Sequence, residues 1–386
     1  MSDLSIPLTP TVHRYLFIDR DGTLIEEPAD TQQVDSCERL RLLPRVLSVL
    51  RWAQEVGGYR LVLITNQDGL GTEAFPEQKF WIIQRLLMDL CASEGVIWYG
   101  LHIDRSRNDS PSPYRKPSPI FLLPYVEAGL DIERSFVIGD RRTDMLLAQR
   151  LGLRGLWLPN PLHPRDTSLP GAIWVENWQD VLEALKRAVF STHVVRQTNE
   201  TNLSVRLTLY GEGRVRVHTG IGFLDHMLTL MAFHAGWDME LVAEGDLHVD
   251  AHHTMEDVAI GLGRALYRLL QDKRGLHRYG QDVKGSWRLV PMDEALALVA
   301  MDLSGRGLLV WRVALSEAPG GLSVSLWKHF FETLAREAAL TLHIQAHGED
   351  AHHTIESIFK GVGRALREAL QREAAERILP STKGTL

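Results

Sequence analysis

Cysteine and long apolar runs are scarce in this chain, which excludes several classes of protein. Only Cys37 and Cys91 occur in 386 residues, so a disulfide framework is not expected and a reducing cytoplasm is. No stretch reaches the roughly 18 apolar residues of a membrane span. The N-terminus lacks the charged and apolar regions of a signal peptide. We therefore expect a cytoplasmic protein without membrane contact.

Positive charge is limited as well, whereas histidine is abundant. The net charge is −7 without a basic block, which argues against nucleic acid as the main partner. The length suggests two or three domains, and an apolar content of 45% suffices for ordinary cores. Of the 16 histidines, seven fall within 218–277 and five within 329–353. This clustering points to metal chemistry in the second half.

The first half alternates short apolar runs with helical patterns. Strands are predicted at 15–19, 59–66, 97–103 and 135–140. Near-continuous apolar strands that alternate with helices predict an α/β domain with a doubly wound parallel sheet. A Pro-rich loop and one more helix follow, so we place this domain at 1–190.

The second half, 191–386, carries an internal duplication. "AHHTMEDVAIGLGRAL" begins at Ala251 and "AHHTIESIFKGVGRAL" at Ala351, 100 residues later. The same order of strand and helix patterns precedes each copy, which predicts an α+β domain of two ββαβα repeats at about 200–280 and 285–375. In the first repeat, the Gly-rich turn in "LSVRLTLYGEGRVRVHTG" predicts a hairpin.

Polar groups follow the predicted strands of the first half. Asp19 and Asp21 in "IDRDGT" are two residues apart and can face one side. The other motifs are "ITNQDG" with Thr65 and Asn66, "YRKPSP" with Lys116, and "IGDRRTD" with Asp140. Strands of such sheets bind ligands at their carboxyl ends. A nucleophilic carboxylate, an acid, a cation site and phosphate donors are what phosphoryl transfer requires.

Together these motifs resemble the haloacid-dehalogenase phosphatase superfamily over 14 to about 158, most closely its histidinol-phosphate phosphatase branch. The resemblance implies Asp19 as nucleophile and Asp21 as acid, then base. It implies that Asp144 orients the set. The implied Mg²⁺ ligands are Asp19, the Asp21 carbonyl and Asp140, and the implied phosphate-binding residues are Thr65, Asn66 and Lys116.

One departure from that branch concerns zinc. The branch often carries a cysteine-rich zinc loop before the lysine, but here the loop is "HIDRSRNDSPSPYRK". Zinc needs about four nitrogen or sulfur ligands, and His102 alone is better explained by packing or hydrogen bonding. We expect no structural zinc.

Each His-His-x-x-Glu cluster opens a predicted helix. His253 and Glu256 are three apart and are expected to face one side. His252 is rotated by about 100° from its neighbour, so the pair can serve two ions. His352, His353 and Glu356 repeat this pattern, and an earlier helix in each repeat offers His226 or His329. Two sets of three histidines and one glutamate suit Mn²⁺, Fe²⁺ or Zn²⁺.

With "TGIGFLDHML", "DKRGL", "VPMDEAL", "HFFETL" and "PSTKG", the second half resembles imidazoleglycerol-phosphate dehydratase over 191–386. The resemblance implies two Mn²⁺ ions between the subunits of a large cubic shell. The implied metal ligands are His226, His252, His253, Glu256, His329, His352, His353 and Glu356. The implied substrate-binding residues are Glu200, Arg274, Arg306, Ser381 and Lys383.

The whole chain thus resembles a histidine-biosynthesis fusion that hydrolyses L-histidinol phosphate and dehydrates imidazoleglycerol phosphate. Two alternatives stay open: a first half specific for another small phosphomonoester, and a second half that is only a metal-assembled scaffold. A scaffold has no need of Arg274, Arg306 and Lys383. The proton-transferring carboxylate also stays open among Glu200, Glu256 and Glu356.

Overall fold

The protein divides into two compact units, Met1–Val189 and Phe190–Leu386, one residue before the predicted boundary. No helix in the described part of the chain is long and apolar enough to cross a membrane. The computed structural model describes residues 12–73, 75–107, 109–164, 169–270, 273–280, 288–315, 317–372 and 379–382.

The first unit is built on a six-stranded parallel sheet, as predicted. Its strands are β1 (Arg14–Ile18), β2 (Tyr59–Asn66), β3 (Trp98–Asp104), β4 (Phe136–Gly139), β5 (Arg154–Trp157) and β6 (Ala172–Trp174). The order is β3-β2-β1-β4-β5-β6 and every neighbouring pair is parallel. The short strands β5 and β6 were not among the predicted ones.

The helices of this unit connect the strands and cover their apolar side chains. They are α1 (Val46–Glu55), α2 (Glu77–Ser93), α3 (Leu123–Glu127), α4 (Arg142–Arg150) and α5 (Trp178–Val189). Tyr15 to Ile18 of β1 are all inaccessible to solvent, because a central parallel strand is covered on both faces. The sheet order reverses at β1, which places a ligand crevice beyond the carboxyl ends of β1, β2 and β4.

The described residues of the second unit form two sheets and four long helices. The first repeat comprises β7 (Ser191–Gln197), β8 (Thr201–Thr208), β9 (Val215–His218), α6 (Gly222–Ala235), β10 (Asp238–Gly245) and α7 (His252–Leu270). The second comprises β12 (Arg288–Met292), β13 (Ala295–Asp302), β14 (Leu308–Val313), α8 (Val324–Glu337), β15 (Thr341–His347) and α9 (Ala351–Ala369), preceded by the two-residue β11 (Tyr279–Gly280).

The two repeats have the same topology, so the predicted duplication is confirmed. The sheet orders are β7-β8-β10-β9 and β12-β13-β15-β14, and β11 also pairs with β13. Each ββαβα unit therefore has one further strand before it, β7 or β12. The predicted hairpin is wrong: β10 lies between β8 and β9, antiparallel to the first and parallel to the second. The Gly-rich turn is local and did not reveal a strand inserted from later in the chain.

Glycines let the helices of different repeats approach closely. A Cβ added to Gly263 in α7 would lie 2.6 Å from Glu337 Cβ in α8, and one added to Gly363 in α9 would lie 2.4 Å from the Met231 carbonyl oxygen in α6. Each helix that begins with the His-His cluster therefore packs on the single-histidine helix of the other repeat.

Candidate active sites

The four motifs of the first unit meet at one cavity beyond the carboxyl ends of the strands. The cavity has a volume of about 410 Å³, and Asp19, Asp21, Thr65, Asn66 and Lys116 contribute to its lining. Asp140 is completely buried immediately after β4. The structure thus brings all the predicted phosphatase residues together at the crevice.

Lys116 is the central cation of this cavity. Its Nζ donates to Asp19 at 2.5 Å and to Asp144 at 2.7 Å. The Asn66 side chain donates to the Lys116 carbonyl at 3.2 Å and accepts from its N–H at 3.1 Å. The Asn66 side-chain amide thus fixes the backbone of Lys116 with one of its two N–H groups, and its phosphate contact stays a prediction.

Burial of several carboxyl groups close together shifts the pKa values at this site. Burial raises the pKa of Asp19 to about 6, although the Lys116 ammonium opposes the rise. Burial and then the charge of Asp19 raise the pKa of Asp140 well above its ordinary value. Burial disfavours the charged form of Lys116, but Asp144 and Asp19 outweigh this effect and raise its pKa.

The donor set fits a hard divalent cation. Asp19, Asp140 and Asp144 place carboxylate oxygens within 4.8 Å of one another, and oxygen ligands of this kind suit Mg²⁺. These three buried carboxylates outnumber the Lys116 ammonium and the nearby Arg141 guanidinium, so a divalent ion would offset the remaining negative charge. Asp144, predicted only to orient the set, belongs to this cluster.

Two residues that the sequence analysis did not single out hold Asp21. The Arg20 guanidinium donates to one carboxylate oxygen of Asp21 at 2.7 Å, and the Gln67 amide donates to the other at 2.6 Å. Gln67 also donates to the Thr65 hydroxyl at 2.8 Å. Gln67 thereby links the implied acid to the implied phosphate-binding threonine. Its place inside "ITNQDG" was the available signal.

A carboxylate organises the cysteine-free loop before Lys116. Asp104, at the end of β3, accepts from the Ser106 N–H at 3.0 Å and from the hydroxyls of Ser106 and Ser112. Arg115 donates to the Ser106 carbonyl at 2.6 Å. His102 bonds the Tyr125 hydroxyl at 2.8 Å, the hydrogen-bonding role expected for it.

The second unit contains two matching clusters of metal-ligand type. The His329 cluster comprises His252, Glu256 and His329, and the His226 cluster comprises His226, His352 and Glu356. In each, one donor atom per residue lies within 4.8 Å of the other two. Each cluster joins a His-His helix of one repeat to the single histidine of the other.

These clusters fit a transition-metal ion. Among the described residues, the buried His329 Nε2 has no hydrogen-bond partner, and it lies 3.3 Å from Glu256 Oε1. His352 Nε2 lies 3.4 Å from Glu356 Oε2. Imidazole and carboxylate ligands without thiolate suit Mn²⁺, Fe²⁺ or Zn²⁺.

The second histidine of each pair points away from its cluster. His253 Nδ1 lies 3.1 Å from Asp246, and His353 Nδ1 lies 2.9 Å from Glu294. The expectation that His253 shares a side with Glu256 is therefore wrong, because His252 does. In an α-helix a residue four positions on is rotated by about 40° and one three positions on by about 60°, so the i,i+4 partner lies closer.

The predicted substrate-binding residues are more dispersed. Glu200 lies 3.7 Å from His253 Nδ1. Arg306 is exposed, the Arg274 carbonyl accepts from Arg372, and the Ser381 N–H donates to Leu379. Lys383 lies outside the described residues.

A cavity of about 590 Å³ adjoins the His329 cluster. Its lining includes His252, His329, Ser323, Lys328 and Glu332. Glu200, Arg274, Arg306 and Ser381 are not among its lining residues. Lys328 is a cation that the sequence analysis missed, although it directly precedes His329 in "LWKHFF".

Known proteins resemble both units. A family model described as imidazoleglycerol-phosphate dehydratase (IGPD) matches residues 219–366, and one described as HAD-hydrolase-like matches 113–169. The chain is 43% identical to the histidine biosynthesis bifunctional protein HisB of Spirosoma linguale over 97% of this chain and all of that one. Identity to HisB of Bacteroides fragilis is 40% over 97% and 99%. IGPD from Pyrococcus furiosus covers 50% of this chain and all of its own at 39% identity, with a TM-score of 0.43. Both resemblances inferred from the motifs are thereby confirmed, and the chain belongs to the HisB family of bifunctional histidine biosynthesis enzymes, with a phosphatase unit and a dehydratase unit.

Proposed function

We propose that the first unit hydrolyses L-histidinol phosphate to L-histidinol and phosphate. The Asp19 carboxylate attacks phosphorus, and the bond from phosphorus to the histidinol oxygen breaks as Asp21 protonates that oxygen. Asp21 then takes a proton from the water that cleaves the aspartyl-phosphate. The observation that carries this proposal is the convergence of Asp19, Asp21 and Lys116 on one cavity.

The other residues position these groups. Lys116 and the Thr65 hydroxyl would hold the phosphoryl oxygens, while Arg20 and Gln67 aim the Asp21 carboxylate. Mg²⁺, held by Asp19, the Asp21 carbonyl and Asp140, would neutralise charge on the transferring group when bound.

Substrate specificity decides between this proposal and its main alternative. We expect kcat/KM for L-histidinol phosphate to exceed that for each member of a sugar-phosphate panel, with activity dependent on Mg²⁺. A sugar phosphate turned over with the higher kcat/KM would instead show a phosphatase for another small phosphomonoester.

We infer that the second unit dehydrates imidazoleglycerol phosphate to imidazoleacetol phosphate, with two Mn²⁺ ions. The paired clusters support this inference, because two ions would act as Lewis acids toward an imidazole ring when bound. Glu256 and Glu356 lie inside the clusters and would serve as ligands. Glu200 lies outside both clusters, so we assign proton transfer to Glu200. Arg274, Arg306, Ser381 and Lys383 keep their proposed substrate-binding roles.

We further propose that other copies of the chain complete the clusters. Each cluster has three donors from one chain, while His253 and His353 stand outside both. A histidine from another copy would supply a fourth ligand to each ion, as in the expected cubic shell. Metal binding and subunit association would then be coupled.

Metal removal tests this arrangement. We expect two Mn²⁺ ions per chain, and we expect chelation to break the assembly into smaller species, measured by sedimentation together with the dehydration rate. An assembly of unchanged size after verified metal loss would contradict the shared sites. A metal-bound assembly without dehydration would instead indicate the scaffold alternative.

The proposed setting is the cytoplasm, with small phosphate esters as partners. Cys37 and Cys91 are both free thiols, which suits a reducing compartment.

A further inference from the structure

Each outward-pointing histidine is held by a carboxylate, but the two repeats use carboxylates from different places. Asp246 directly follows β10 and holds His253 through contacts of 3.1 and 3.3 Å to its Nδ1. Glu294 directly precedes β13 and holds His353 through a 2.9 Å contact to its Nδ1. The two positions are not equivalent in the repeat.

The repeats nevertheless carry carboxylates at both places. Glu200 directly precedes β8, as Glu294 directly precedes β13. Asp246 follows Gly245 at the end of β10, and Glu349 follows Gly348 after β15. In the first repeat the Glu200 carboxylate lies 3.7 Å from His253 Nδ1, beyond hydrogen-bond distance. In the first repeat the histidine ring is therefore bound by the carboxylate after a strand, Asp246, and in the second repeat by the carboxylate before a strand, Glu294.

Glu294 is itself fixed firmly. One of its oxygens accepts from the Asp350 N–H at 2.9 Å and the other contacts His353 Nδ1. Asp350 caps α9 by accepting from the N–H groups of His352 at 2.6 Å and His353 at 3.3 Å. Glu294 thus ties the turn between β12 and β13 to the first residues of α9.

We propose that Glu294 in the second repeat, and Asp246 in the first, are the positioning residues that prepare His353 and His253 to bind metal in another copy of the chain. An imidazole that donates Nδ1–H to a carboxylate carries its proton there and presents the Nε2 lone pair to a metal. Asp293, 3.7 Å from His353 Nε2 and largely exposed, is too distant to bind that nitrogen. This inference rests on the proposed sharing of metal sites between copies.

The different choice of carboxylate in the two repeats gives Glu200 and Glu294 different roles. Because Asp246 holds His253, the Glu200 carboxylate is not needed for that purpose. Glu200 then remains available for the proton transfer assigned to it, whereas its counterpart Glu294 is committed to positioning.

The test compares matched carboxylates in the full-length protein. Each variant is stripped of metal, titrated with Mn²⁺ and examined by sedimentation. We expect Glu294→Ala to weaken Mn²⁺ binding about 10- to 100-fold and to raise the Mn²⁺ concentration needed for assembly. Glu349→Ala should behave as wild type, because a carboxylate at this position binds the histidine ring only in the first repeat. Glu294→Gln keeps one acceptor oxygen and should fall between Glu294→Ala and wild type.

The first repeat should give the opposite pattern. Asp246→Ala should weaken Mn²⁺ binding, and Glu200→Ala should leave Mn²⁺ affinity unchanged while abolishing dehydration. Equal effects of Glu294→Ala and Glu349→Ala, or a wild-type Mn²⁺ affinity for Glu294→Ala, would overturn the assignment.

The variant His353→Ala distinguishes failure of the positioning role from failure of the proposed sharing of metal sites between copies. If His353→Ala weakens Mn²⁺ binding and Glu294→Ala does not, only the positioning role fails. If His353→Ala also binds Mn²⁺ as wild type does, the shared ligand set itself is wrong.

Discussion

Replacing the implied nucleophile should make the metal-free phosphatase unit more stable while abolishing its activity. Asp19 is almost completely buried beside Lys116, Asp140 and Asp144. Asp19→Asn keeps the shape and an oxygen that can accept from Lys116 Nζ, and Lys116 retains its 2.7 Å contact with Asp144. The substitution therefore removes one buried negative charge without leaving the lysine unpaired.

The magnitude follows from the pKa of Asp19. Burial raises this pKa from 3.8 to about 6, so the charged carboxylate disfavours the folded state. The protonated Asp19 carboxyl favours the folded state; this contribution is fully present below pH 3.8 and is lost as the pH rises through about 6. The rise corresponds to about 3 kcal/mol. In chelator, Asp19→Asn should therefore stabilise the unit by up to about 3 kcal/mol above pH 6, and the difference should vanish near pH 3.8.

Hydrogen exchange of peptides from β1 and β4 reports the opening of this unit within the full chain. Asp30→Asn is a suitable control, because this exposed carboxylate pairs with Arg39 at the surface, where an ion pair contributes little to stability. Mg²⁺ should narrow the difference between wild type and Asp19→Asn, since only the wild type keeps the full ligand set. Lower stability of Asp19→Asn at neutral pH, or loss of dehydratase activity in the folded, assembled variant, would refute the reasoning.

Two further substitutions test the support of the phosphatase site. In Gly139→Ala the new Cβ would lie 2.4 Å from the Asp144 carboxylate, so a displacement of about 1 Å should lower phosphatase kcat on the order of 100-fold; unchanged kcat would show that Asp144 does not position Lys116. Asp104→Ala removes the acceptor shared by Ser106 and Ser112, which should destabilise the loop by about 1–3 kcal/mol and speed its proteolysis. Metal analysis of a truncated chain that ends near Phe190, and so lacks the histidine clusters, should find no stoichiometric zinc; one tightly bound zinc per molecule would contradict a loop organised without metal.

The sequence predicted β1 to β4 of the first unit well because their apolar runs are nearly continuous, whereas it missed the short β5 and β6. Residues 59–66 were expected and observed as β2. The side-chain roles at the carboxyl ends were harder to predict. Asn66 binds the backbone of Lys116, 50 residues later, and Asp104 gathers hydroxyls from a loop without regular periodicity. Such contacts depend on the path of the loop, which no local pattern specifies.

In the second unit, periodicity indicated which residues lie near the clusters of metal-ligand type, but not which histidine of each pair belongs to a cluster. The spacing placed two histidines and a glutamate at each helix start, yet the partner of Glu256 is His252 rather than His253. The hairpin was mispredicted for a related reason, because the neighbour of β9 is β10. Both outcomes were set by packing between segments distant in the chain.

The duplication itself explains why neither repeat is sufficient. The cluster around His252 and Glu256 takes His329 from the second repeat, and the cluster around His352 and Glu356 takes His226 from the first. Gly263 and Gly363, 100 residues apart, allow the close helix contacts that make this exchange possible. A single repeat could supply only two donors to one cluster and one to the other. Two repeats in one chain therefore bring together both three-donor clusters, and each His-His helix has a second histidine that lies outside both of them.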